Sequence, residues 1–64
     1  MTDRTYTATE KLEAVDREVK YRVRVYARRI AEGKMTKETA DYQVAVMRAI
    51  AADYHTLALK ERLL

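Results

Sequence analysis

Apolar positions recur along this chain at helical spacing, twice, with one interruption between the two runs. In the first run Leu12, Val15, Val19, Val23, Tyr26 and Ile30 fall within an arc of about 80° when residues are set 100° apart. Part of this run, REVKYRVRVYARR over residues 17–29, also alternates as a half-buried strand would. There Val19, Tyr21, Val23 and Val25 are separated by Lys20, Arg22 and Arg24. The helical stripe begins before that window and continues beyond it. Glu13–Arg17, Asp16–Lys20 and Glu18–Arg22 are acid-before-base pairs at i,i+4, which approach each other only on a helix. A strand would also need a partner strand from a second chain and would leave only residues 26–33 for a helix before the glycine. A helix is therefore expected.

The second run is apolar over a broader arc: Ala40, Val44, Met47, Ile50, Ala51, Tyr54, Leu57 and Ala58. Ala45, Ala49, Ala52, Leu59 and Leu63 lie behind it. End signals bound both runs. Thr7-Ala8-Thr9-Glu10 has the form of a capping box, which starts the first helix near residue 8. Gly33, the only glycine, suits the left-handed position just past a helix end, after Arg28 and Arg29 in the last turn. Thr36 reads as the N-cap of the second helix, with Glu38 in its first turn and Met35 and Ala40 placed as a hydrophobic staple. The expected architecture is all-α: helices at about 8–32 and 37–63, preceded by a disordered tail over residues 1–7, forming one domain over 8–64. So short a connection makes the helices antiparallel neighbours. Counting outward from the turn then pairs Ile30 with Ala40, Tyr26 with Val44, Val19 with Ala51, Val15 with Tyr54 and Leu12 with Ala58, mostly large against small.

Composition sharpens this picture. The 64 residues include no Pro, Cys, Ser, Asn, Phe or Trp, so turn chemistry is scarce and disulfides and thiolate metal sites are excluded. Without Ser or Cys the common nucleophiles of hydrolytic triads are missing as well. No apolar run reaches membrane-spanning length, and the opening MTDRTYT has no secretory leader's apolar stretch. A soluble, cytoplasmic protein is expected. A single core in a chain this short supplies only about 3–5 kcal/mol without help. Two helices also cannot cover a second helix that is apolar nearly all round. A homodimer forming a four-helix bundle is the expected solution, with Met47, Ile50, Tyr54 and Leu57 at its interface.

Charge is unevenly spread. Residues 17–34 hold seven basic and two acidic side chains, whereas residues 1–16 are net acidic and 35–64 balance. Arg17, Lys20, Arg24 and Arg28 line the face of the first helix opposite its apolar stripe, with Tyr21 between them and Arg29 on a flank. Such a ridge could contact phosphates, with Tyr21 stacking on a base, or could be a solvated face neutralised by its own carboxylates. Ala14, Tyr21 and Val25 form a smaller apolar strip, either a docking site for a protein partner or a rim of the bundle. Asp41, Arg48, His55 and Arg62 recur every seven residues on the second helix. No second His and no carboxylate lies at i±3 or i±4 from His55, so no metal site is expected there, and no cofactor. Paired carboxylates have no concave site in which to converge, so catalysis is not expected.

The stretches RVYARRI, GKMT and VAVMRAIAADY, within residues 24–54, resemble small uncharacterised helical-hairpin proteins common in phage and prophage genomes. Those share a basic, tyrosine-containing first helix, a Gly-Lys/Arg-Met/Leu-Thr/Ser turn and an Ala-rich second helix. The resemblance covers about half the chain and implies a helical hairpin of viral or prophage origin, with no active site to transfer. In length and layout the chain is also similar to the Rop-type hairpins, which dimerise into four-helix bundles and bind paired RNA loops. The similarity is architectural, and no RNA-contacting residue is carried over from them. Two functions follow as expectations: a non-catalytic, homo-oligomeric interaction or accessory protein, or a nucleic-acid-binding bundle that uses the basic face.

Overall fold

The computed structural model describes residues 5–63. They form two helices, α1 over Ala8–Ala31 and α2 over Lys37–Leu63, folded back on each other as an antiparallel hairpin. No strand occurs among the described residues, including the alternating window 17–29. The tail and domain boundaries expected from the sequence fall partly on residues 1–4 and Leu64, which lie outside the described residues.

Both helix starts use the expected caps. Thr7 Oγ1 accepts from the Glu10 N–H at 3.0 Å, and Glu10 Oε1 accepts from the Thr7 N–H at 3.1 Å, closing the capping box. Thr36 Oγ1 accepts from the Thr39 N–H at 3.1 Å at the start of α2. The end of α1 is a Schellman turn. Gly33 N–H donates to the Ile30 carbonyl at 3.0 Å and Lys34 N–H to the Arg29 carbonyl at 2.9 Å, with Gly33 at φ +73°. A residue with a Cβ would be strained at that φ, which is why the one glycine falls there.

The seam between the helices is narrow. Among the described residues only Ala8, Val19, Ala40 and Ala58 are buried, and no large side chain is wholly enclosed. Leu12, Val15, Tyr26 and Ile30 on α1, and Val44, Met47, Ala51 and Tyr54 on α2, are half-buried. Ile30, Tyr26, Ala40 and Val44 line one groove, and Val19 and Ala51 line another, in line with the expected pairing. Val23 departs from expectation. It belongs to the apolar stripe in sequence but is exposed, because the small residues opposite bring α1 and α2 together along a line too narrow to reach the stripe's edge.

The result is a single layer of helices rather than two packed layers. The radius of gyration is 14.8 Å, against about 10.7 Å for a compact domain of this length. The accessible surface is 5441 Å² for 7.5 kDa, whereas a compact monomer of that mass exposes about 4,250 Å². The excess of about 1,200 Å² reflects the single-layer shape.

Candidate functional site

Two surfaces, one on each helix, contain the candidate residues. The first lies on α2. Met47 and Tyr54 are half-buried, while Ile50 and Leu57 are 37% and 46% exposed. Their spacing of three, four and three residues puts them on one side of the helix, and Val46, 40% exposed, widens the patch. The structure therefore brings the four expected interface residues onto one accessible apolar strip. Beside it on α1 runs a charged strip. Arg22 Nε lies 3.2 Å from Glu18 Oε1, and Arg22 Nη1 donates to Tyr26 Oη at 3.1 Å. The hydrogen bond to Tyr26, followed by the Glu18 carboxylate, raises the Arg22 pKa further above its ordinary value. A raised folded-state pKa gives a contribution that is complete below the unfolded value and lost only above it. The guanidinium thus stays charged at every pH near neutrality, and this cluster adds no pH dependence there.

Near its end the apolar strip meets the start of α1. Lys11 Nζ sits 5.6 Å from the centroid of the Tyr54 ring, a cation–π approach. Glu61, in the last turn of α2, accepts from the Ala8 N–H at 2.9 Å through Oε2 and from the Thr9 N–H at 3.4 Å through Oε1. With the capping box, this gives every free N–H at the start of α1 an acceptor. Sequence reasoning passed over Glu61. A carboxylate at the negative end of its own helix is locally unfavourable, and that misfit was the one sequence signal that it serves another element.

The second surface is the outward face of α1. Arg17, Lys20, Tyr21, Arg24 and Arg28 are all exposed and lie within about 100° of arc, spanning about 16 Å from Arg17 to Arg28. Arg29 is also exposed but lies apart from them, bordering the turn with Gly33, Lys34 and Met35. Of the three i,i+4 pairs expected on α1 only Glu18–Arg22 forms; Glu13–Arg17 and Asp16–Lys20 do not close to ion-pair distance. Nor does Arg28 pair with Glu32, the residue that caps the end of α1. These side chains sit in water, where holding two long side chains together yields little. Arg17, Lys20, Arg24 and Arg28 therefore form no ion pair in the described structure.

Other candidates are dispersed. Ala14 and Tyr21 are exposed and Val25 is half-buried, a discontinuous strip on the back of α1. Asp41 pairs with Lys37 at 2.7 Å, and His55 is exposed beside Ala52. No group of three His, Asp or Glu side chains among the described residues is placed to share a metal ion, and no described helix is long and apolar enough to cross a membrane. An open groove of about 640 Å³ near the turn is lined by Val23, Tyr26, Ile30, Val44 and their neighbours. Fold and surfaces together define a helical hairpin with an apolar strip on α2 and a basic strip on α1. Comparison with protein-family models, curated proteins and solved structures yields no match.

Proposed function

We propose that this chain is a non-catalytic interaction module that works as a homo-oligomer, most simply a homodimer forming a four-helix bundle. The observation that carries this reading is the accessible apolar strip of α2 over a seam whose buried residues, among those described, are three alanines and a valine. Apolar surface of this extent is unfavourable in water. A second layer of helices from another copy would remove it. The sequence likeness of residues 24–54 to phage and prophage hairpins supports an accessory role of viral or prophage origin. The test is the solution mass across a concentration series, read by sedimentation equilibrium. A dimer mass that dissociates on dilution, with a melting temperature that falls in step, is the expected result. A monomer at millimolar concentration that melts cooperatively would refute self-association.

A second reading rests on the basic face. Four cations without ion pairs along about 16 Å of α1, with exposed Tyr21 among them, favour contact with a nucleic-acid backbone. Affinity for duplex DNA, single-stranded DNA and hairpin RNA should then fall steeply with salt. Arg24→Glu with Arg28→Glu should remove binding while leaving the melting curve in place. Weak binding that vanishes by about 0.15 M salt would return these side chains to solvation.

A further inference from the structure

The hairpin face that carries the apolar strip is divided lengthwise. Its α2 half presents Met47, Ile50, Tyr54 and Leu57; its α1 half presents the Glu18–Arg22 pair. Resting on the self-association proposed above, we infer that a second copy docks on this face about a two-fold axis perpendicular to the helices. In that arrangement α2 lies antiparallel on the partner's α2, and α1 on the partner's α1.

The division of the face selects this arrangement over the other face-to-face one. A two-fold axis parallel to the helices would lay α1 on the partner's α2, pressing the charged Glu18 and Arg22 side chains onto Ile50 and its neighbours. That would desolvate charges against an apolar surface. The perpendicular axis instead matches apolar to apolar and charge to charge.

The spacing within the strip also closes on itself. With the axis level with residue 52, Met47 meets Leu57 of the other copy and Ile50 meets Tyr54, giving four consecutive apolar layers. Glu61 sits opposite Ala8 and Val19 is paired with Ala51 by position, so residue 52 is level with about residue 18 of α1. Glu18 therefore falls next to the axis, where the two Glu18 carboxylates face each other and each is flanked by the other copy's Arg22 about 6 Å along the helix, which offsets their repulsion. The charged pairs can then bridge the two copies as well as each hairpin. Helix dipoles within each facing pair are opposed, which is favourable.

The chain has no cysteine, so single-cysteine variants report cleanly. Spin labels on Thr39→Cys, an exposed site in the first turns of α2, should lie about 40 Å apart in the dimer with the perpendicular axis. With the parallel axis the labels would be level, under about 20 Å apart. Separately, an oxidised equimolar mixture of Ile50→Cys and Tyr54→Cys should give mainly the mixed disulfide, and each variant alone should give little. Mass and circular dichroism of every variant establish that it folds and dimerises; the label pair reports even if the strip variants weaken assembly. A dimer with a short label distance would overturn the axis and leave self-association standing. A long distance without the mixed disulfide in dimeric variants would instead overturn the strip as the contact and move it to the Ala45–Ala49–Ala52 side of α2. A monomer throughout would sink both the arrangement and the reading beneath it.

Discussion

Replacing Glu61 by alanine tests whether the two ends of the hairpin hold one another. Its carboxylate accepts from the Ala8 and Thr9 N–H groups at 2.9 and 3.4 Å, across 53 and 52 residues of chain. Losing a side-chain acceptor at a helix start costs about 0.5–2 kcal/mol, typically about 1. The charge itself adds about 0.3–1 kcal/mol at the positive end of α1. Ala8 is 8% exposed, so water replaces the lost partner poorly. Against this, alanine relieves a carboxylate at the negative end of α2, worth a few tenths of a kcal/mol. The net expectation is a loss of about 1 kcal/mol, or a melting temperature lower by about 4–8 °C in a domain this small. Glu61→Gln keeps an acceptor without the charge and should lose roughly half as much. Protein concentration must be held fixed, because dimerisation shifts apparent stability by mass action. Amide exchange gives the local reading. The Ala8 and Thr9 amides should exchange about fivefold faster in Glu61→Ala, while Glu10, held by Thr7 Oγ1 at 3.0 Å, should not change more than the fold as a whole. Unchanged melting and exchange in Glu61→Ala would refute the end-to-end cap and leave α1 dependent on its capping box alone.

Two further expectations concern the turn and the seam. Gly33→Ala places a Cβ at φ +73°, where strain of about 1–2 kcal/mol exceeds the roughly 0.4–1 kcal/mol gained by restricting the unfolded chain. Nothing lies within 4 Å of that position, so the loss is conformational and Gly33→Asn should recover much of it in the same melting assay. Ala58→Leu forces a large side chain into a seam position that is 4% exposed and should cost about 1–3 kcal/mol by urea denaturation. Ala49→Leu, on the exposed side of α2, should stay within about 0.5 kcal/mol. Equal effects at the two sites would mean that the seam runs elsewhere.

How much of this was legible in the residues follows from the range of each interaction. Both helices, the Thr7 and Thr36 caps and the Gly33 turn rest on contacts within about five residues. Backbone sterics and the capping hydroxyls decide them, so the sequence determined them by itself, against the local strand-like alternation of residues 17–29. The basic ridge was equally legible, because one helix carries it and 100° per residue places it. What the ridge's carboxylate neighbours do was not: of the three acid–base pairs expected on α1, only Glu18 closes on its base. Solvated side chains settle such pairs by small differences that spacing does not encode. Tertiary structure alone decided how narrow the seam is, leaving Val23, Ile50 and Leu57 in the open. It also paired residues more than 40 apart, Lys11 with the Tyr54 ring and Glu61 with the first turn of α1. Those depend on the distance between two packed helices, which is set by the volumes of Val19, Ala40 and Ala58 together and by no local pattern in either helix.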